Sequence, residues 1–314
     1  KIDIKRETIM KIEIGVKSDP IQYRYTYEWL FDLMREQKVR YLQLGSFFEL
    51  YMLDDSFFKD LRNLAEKKDI EIRSCFTAHR ELGGFFSQDR RLERVARKCY
   101  ERFIEVAALV GADFVGSNPG SICRDLMKTK EMGIANYLDN MKGLMEYAFL
   151  KGIKGLTIEP MSCLAEPPTL PEEIDHMMNN LNDYYQEEQY KRVPVYLCGD
   201  ISHGYADQDG NVIHRHDELF EHQIPYMCEF HIKNTDSIYQ NTFGFSVEEQ
   251  KAGIIHLTDL KKQILSNSKL WPVSNPIGYL EISGPKKGRD YSDKKLSNNL
   301  SRSLEAITEV FASD

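Results

Sequence analysis

The stretch Leu197-Cys-Gly-Asp-Ile-Ser-His-Gly204 continues the apolar run Val193-Pro-Val-Tyr and reads as a buried strand that releases Asp200 and His203 into a glycine-flanked loop. An acid and an imidazole at a strand end sit where rigid backbone first meets solvent. The same design recurs in Gly155-Leu-Thr-Ile-Glu159-Pro, Met227-Cys-Glu-Phe-His231-Ile-Lys and Gly278-Tyr-Leu-Glu281-Ile-Ser-Gly-Pro. Strands that each deliver one metal-competent side chain near the C-terminal end predict a common centre.

Working outward, strands are predicted over residues 11–17, 40–45, 70–76 and 113–116, ahead of those ending near Glu159, Asp200, His231 and Glu281. Between them lie helices at residues 25–37, 54–68, 89–109, 130–151 and 171–190, a short helix reaching about His222, and helices at 246–266 and 293–311. The first helix carries Tyr27, Leu30, Phe31 and Met34 at helical spacing. Gly111 closes the third, and Ser246 with Glu249 forms a capping box. Strands alternating with helices imply a parallel sheet, and eight such repeats point to closure as an α/β (β/α)8 TIM barrel. An open doubly wound sheet lacks support because no Gly-x-Gly-x-x-Gly follows the first strand. With no linker, low-complexity tract or break in composition, residues 10–314 are expected to form one domain, and residues 1–9 a leader or arm outside it. Active sites of such barrels lie at the C-terminal face. Glu159, Asp200, His231 and Glu281, on strands five to eight, therefore open to one side.

Bulk properties narrow the function. A hydrophobic content of 42% supports a substantial core in a chain of 314 residues, and the mean hydropathy of -0.48 describes a polar surface. No apolar run approaches the ~20 residues that span a bilayer, and no basic-then-apolar export signal precedes the fold. The formal charge of -8 opposes sequence-independent nucleic-acid binding, which needs excess Lys and Arg against phosphates. Six cysteines without a Cys-x-x-Cys pair read as free thiols. The expectation is a cytoplasmic protein with a small-molecule partner, no nucleic-acid or membrane partner, and the possibility of a homo-oligomer.

Two Glu, one Asp and one His make a mixed oxygen/nitrogen set without thiolate, suited to Mn²⁺, Co²⁺ or Mg²⁺ and able to take Zn²⁺. Such an ion could polarise the carbonyl of a hydroxy-ketone, and two glutamates on either side could then move a proton at the neighbouring carbon. Any one strand-end acid is more often a loop anchor than a ligand; four on adjacent strands are much harder to attribute to accident. His203 could equally bond backbone, and His79 in Thr77-Ala-His-Arg80 could equally be a loop residue. His214, His216 and His222 read as surface histidines. Lys286-Lys-Gly-Arg289 follows strand eight, where barrels commonly bind phosphate.

The runs Ile158-Glu159-Pro160, Asp200-Ile-Ser-His203, His231-Ile-Lys and Leu280-Glu281-Ile resemble the xylose-isomerase-like TIM-barrel superfamily, and within it the ketose 3-epimerases. The resemblance spans nearly all of residues 11–311. It implies that Glu159, Asp200, His231 and Glu281 bind a divalent metal, usually Mn²⁺. It further implies that Glu159 and Glu281 are the acid/base pair of a reaction through a cis-enediolate, and that His203 contacts a substrate oxygen. The sequence departs from the free-sugar epimerases after strand seven, where His231-Ile-Lys-Asn-Thr-Asp236 carries Lys233 and no arginine. Lys233 with Arg289 would suit a phosphate. The segment Met161-Ser-Cys-Leu-Ala-Glu-Pro-Pro168 looks like the tetrulose-phosphate epimerases of polyol catabolism. The expected activity is thus isomerisation or epimerisation of a ketose or ketose phosphate, with His79, His203, Lys233 and Arg289 as substrate contacts. The same fold houses metal-dependent apurinic endonucleases, whose Asp-x-His pair after strand seven is missing here, and a non-catalytic sugar-binding barrel is a third reading.

Overall fold

The computed structural model describes residues 10–45, 47–77, 82–282 and 289–312. Its parallel strands are β1 (Glu13–Lys17), β2 (Tyr41–Gly45), β3 (Glu71–Thr77), β4 (Phe114–Ser117), β5 (Gly155–Ile158), β6 (Val195–Asp200), β7 (Met227–Ile232) and β8 (Ile277–Leu280). They close into a barrel in sequence order, with β8 pairing back onto β1. The outer layer is α1 (Tyr27–Glu36), α2 (Asp55–Lys67), α3 (Arg90–Val110), α4 (Lys130–Leu150), α5 (Pro171–Glu187), α6 (His216–Gln223), α7 (Leu257–Ser266) and α8 (Leu296–Ala312). The fold is the TIM barrel that the alternating pattern predicts.

Burial of both strand faces explains the continuous apolar runs: β5, β7 and β8 are buried along their whole length. One face packs on helices, as where Phe230 meets Phe220 of α6 at 5.6 Å and Trp271 at 5.9 Å between ring centroids. The other face lines the barrel interior. Because side chains alternate along a strand, residues two apart share that interior face. Thr157 and Glu159, Cys198 and Asp200, and Glu229, His231 and Lys233 therefore stack along the barrel axis. The helices stop where their chemistry dictates: Asp89 caps α3 by accepting from Arg91 N at 2.8 Å, and Gly111 ends it at φ +80°, a left-handed backbone that glycine adopts without strain.

Three local expectations are corrected. The helix expected over 246–266 is two, Val247–Ala252 and α7, separated by an extended Gly253. The break docks on Asn234, whose Oδ1 accepts from Ile255 N at 3.0 Å, and a Cβ on Gly253 would stand 2.1 Å from that oxygen. The closing helix expected from 293 begins at Leu296, after a turn Asp290–Asp293 pinned to the β1 loop by Tyr25 Oη donating to Asp293 O at 2.9 Å. The stretch after β6, expected as loop, holds a small antiparallel hairpin of Tyr205–Ala206 and Val212–His214. The expected arm at 1–9, His79 and residues 286–288 of the basic run lie outside the described residues. No helix of the described residues is long and apolar enough to cross a membrane.

Truncating Phe230 removes a fully buried ring that joins β7 to α6 and to Trp271 in the loop before β8. Phe230→Ala should cost about 3–5 kcal/mol in urea unfolding; a loss under about 1 kcal/mol would contradict this packing.

Candidate metal centre

Glu159, Asp200, His231 and Glu281 come together at the C-terminal mouth of the barrel, each offering one ligand atom, all within 4.8 Å of one another. The register explains the convergence: Asp200 pairs with His231 across β6 and β7, and Tyr279 pairs with His231 across β7 and β8, placing Glu281 two residues further on the interior face. His231 Nδ1 lies 2.9 Å from Glu159 Oε1, 3.7 Å from Asp200 Oδ2 and 3.6 Å from Glu281 Oε2.

In every one of these residues, one polar atom faces the centre and the other is held by a neighbour. Asp200 Oδ1 accepts from Ser202 N and Ser202 Oγ, both at 2.8 Å. Asn118 Nδ2 donates to Glu159 Oε2 and lies 2.9 Å from Met161 Sδ. Lys17 Nζ donates to Glu281 Oε1 at 2.5 Å and pairs with Asp19 at 3.1 Å. His231 Nε2 lies 2.8 Å from Gln43 Oε1. Four side chains anchored from outside thus leave Oδ2, Oε1, Oε2 and Nδ1 directed at one place.

The electrostatics follow from burying three carboxylates beside two lysines. Lys233 Nζ bridges Asp200 Oδ2 at 2.7 Å and Glu281 Oε2 at 2.8 Å. Burial alone would raise the Asp200 carboxyl, but His203, Lys233 and His231 outweigh it and hold the group well below its usual range. Burial likewise opposes ionisation of Glu281, and Lys17, Lys233 and His231 reverse that, again to well below the usual range. One layer down, burial pushes the Glu229 carboxyl up to about 7, against the hydrogen bonds from Ser74, Thr157 and Gln43.

The donor set fits a hard or borderline divalent ion. It comprises three carboxylate oxygens and one imidazole nitrogen, with no thiolate. Bonds of about 2.1 Å span about 4.2 Å across an ion, close to the observed spread. Asp200 Oδ2 is fully buried and its cationic partner is the Lys233 ammonium at 2.7 Å, so positive charge is already drawn to the inward-facing oxygens.

The other expected residues divide. His203 Nδ1 bonds Pro160 O at 2.7 Å, the backbone anchor weighed from sequence, while its Nε2 lies 3.5 Å from Asp200 Oδ2. Lys233 points at the ligands and also lines a cavity of about 200 Å³ with Ser202, His203, Thr235, Asn241 and Thr242. Arg289 begins the Asp290–Asp293 turn, its backbone N–H donating to Ser292 Oγ at 2.9 Å. A larger groove of about 440 Å³ runs between α6 and α7, lined by His216 and His256; it belongs to the helical layer and none of the four clustered strand-end residues lines it. His222 bonds Asp175 at 2.9 Å, so the 214–222 histidines do not assemble as ligands.

Lys17, Gln43 and Asn118 escaped the sequence reading because they sit on or just after β1, β2 and β4, none of which carries a member of the four-residue cluster. A signal was present: Gln43 is a polar residue between Leu42 and Leu44, and Lys17 ends a strand whose last three residues are buried. Lys17→Met leaves Glu281 with one cation fewer in a buried setting. The variant should lose about 3 kcal/mol in metal-free denaturant unfolding, and Mn²⁺ should narrow the difference. Unchanged stability would show that Lys17 does not support the carboxylate cluster.

No family model matches the chain, and no curated protein sequence does. Solved structures do match along its length. A candidate xylose isomerase from Rhodospirillum rubrum superposes with a TM-score of 0.75 at 18% identity, covering 95% of this chain and 99% of that one. The D-psicose 3-epimerase of Clostridium cellulolyticum, solved with D-tagatose, gives 0.69 at 12% identity over 95% and 99%. A candidate 3-DHS dehydratase from Bacillus anthracis, involved in petrobactin synthesis, gives 0.64 at 11% identity over 94% and 98%. These likenesses establish a shared architecture: the chain has the same barrel fold as these proteins.

Proposed function

We propose that this chain is a divalent-metal-dependent isomerase or epimerase of a ketose or ketose phosphate. The observation that carries the reading is the placement of Glu159 Oε1 and Glu281 Oε2 beside His231 Nδ1, with Asn118 and Lys17 holding the outer oxygens. Glu159, Asp200, His231 and Glu281 would hold the ion, for which Mn²⁺ is our first assignment and Mg²⁺, Co²⁺ or Zn²⁺ the others. When bound, the ion supplies Lewis acidity toward the carbonyl and hydroxyl oxygens of the sugar.

The proton chemistry belongs to the chain. One glutamate, as the carboxylate, removes the proton from the carbon next to the carbonyl, the electron pair passing into an enediolate; the other, starting as the carboxylic acid, gives its proton to the opposite face and is left as the carboxylate. Return to the original carbon from that face inverts it; delivery to the neighbouring carbon exchanges aldose and ketose. Lys17 and Lys233 keep Glu281 ionised. His203, anchored on Pro160 O, is assigned to a substrate oxygen, and the polar cavity beside it accommodates the rest of a small sugar. Lys233 and Arg289 are the cations we assign to a phosphorylated substrate; His79 remains a further candidate contact. The described strand-end set, with paired glutamates and no other histidine cluster, favours proton transfer over the multi-histidine zinc chemistry of an endonuclease. A single-domain, cytoplasmic enzyme acting on a small molecule, free or self-associated, completes the proposal.

The test is turnover of matched free and phosphorylated ketoses with Mn²⁺, read by chromatography of the sugar products. Wild-type protein should convert at least one, and Glu281→Gln should lower turnover by about 10²–10⁴-fold with the circular-dichroism spectrum unchanged. Retained activity in the variant would overturn the two-carboxylate mechanism.

A further inference from the structure

Beneath the ligand set, the barrel interior carries a polar chain that the proton chemistry does not use. Gln43 is fully buried on β2, and its carboxamide lies between His231 and Glu229. Its Oε1 is 2.8 Å from His231 Nε2, while its Nε2 lies 3.4 Å from both Glu229 Oε1 and Ser74 Oγ. Glu229 Oε1 also accepts from Ser74 Oγ at 2.8 Å and Thr157 Oγ1 at 3.2 Å, so it presents an acceptor to the amide. An amide group has one donor end and one acceptor end. With its donor end turned to Glu229, the acceptor end has to face the imidazole.

That orientation has a consequence for His231. An acceptor at Nε2 requires the proton on Nε2, which leaves Nδ1 as the nitrogen lone pair in the neutral ring. Nδ1 is the atom that faces Glu159, Asp200 and Glu281, and its 2.9 Å contact with Glu159 Oε1 is a hydrogen bond whose proton a divalent ion at the centre would replace. The only other polar neighbour recorded at Nε2 among the described residues is Cys198 Sγ at 3.5 Å, and a thiol is a weak acceptor. The Phe76 ring, edge-on at 5.1 Å between centroids, restricts the imidazole from the side without offering a conventional acceptor.

We propose that Gln43 is a positioning residue: held by Glu229 and Ser74, it fixes the orientation of His231 and the Nε2–H form of its ring, so that Nδ1 is presented to a divalent ion. The inference rests on the metal-centre reading above and concerns ion affinity, so it is separable from the sugar chemistry. Partners of this kind to a ligating histidine typically change metal affinity by about 10–100-fold.

The experiment is Mn²⁺ binding to the full chain, measured by electron paramagnetic resonance titration and by calorimetry, for wild type, Gln43→Met and Gln43→Glu. Methionine keeps the volume and removes the acceptor; glutamate restores an acceptor. Gln43→Met should weaken Mn²⁺ by about 10–100-fold with its circular-dichroism spectrum intact, and Gln43→Glu should recover most of the loss. In the Mg²⁺-loaded wild type, a hydrogen-bonded His231 Nε2–H proton should appear by NMR and be lost in Gln43→Met. Should Gln43→Met not fold, a Gln43→Glu protein that binds Mn²⁺ within threefold of wild type and keeps the Nε2–H signal supports the proposal, and one that folds yet loses both overturns it. Equal affinity for wild type and a folded Gln43→Met also overturns it. Wild type that binds no divalent ion overturns both this inference and the reading beneath it, whereas normal ion binding without sugar turnover leaves the inference standing and overturns the activity alone.

Discussion

Burying three carboxylates within a few ångströms of one another is the constraint on which the rest of the mouth depends. Glu159, Asp200 and Glu281 cannot all be ionised in that space without positive charge beside them. Lys17 and Lys233 supply it, and both lie on the barrel's interior face rather than in surface loops. Hydrogen bonds from Asn118 and Ser202 take up one further oxygen each on Glu159 and Asp200. The oxygens facing inward are met by Lys233 and His231, and they converge on a single place.

The architecture makes this possible at little cost in packing. Parallel strands buried on both faces put their apolar residues against the helices and leave the alternate positions to the barrel interior. Here that interior is polar in layers, with Glu229, Ser74, Thr157 and Gln43 below and the ligands above. The lower layer meets the upper one through the Gln43–His231 contact, by which β2 reaches across the barrel to the imidazole carried by β7.

Much of this was legible in the sequence, and the reasons differ from element to element. Strand-end acids and the histidine could be read because apolar runs locate strands and a period of two assigns the faces. The break at Gly253 could not, because it arises from contact with Asn234, which lies far away in sequence; local pattern alone favours continuing the helix through residues 246–266. The hairpin after β6 is too short for alternation to register. Lys17, Gln43 and Asn118 were missed for a different reason: a single polar residue in or beside a buried strand has no meaning until its partner across the barrel is known. Lys233 is legible as a cation at the strand end, but its ion pairs with Asp200 and Glu281 depend on residues from two other strands.

Proteins sharing this fold include a 3-epimerase and a candidate dehydratase, so architecture leaves the reaction open and the paired glutamates have to decide it. The central claim is proton transfer at the carbon next to a sugar carbonyl. Its most direct measurement is NMR of ketoses and ketose phosphates incubated with the protein and Mn²⁺ in D₂O. The account predicts metal-dependent deuterium incorporation at one carbon beside the carbonyl of at least one substrate, absent when Glu281 is replaced by Gln. Interconversion of such a sugar without solvent exchange in any substrate, or exchange that persists in the Glu281→Gln protein, would contradict it.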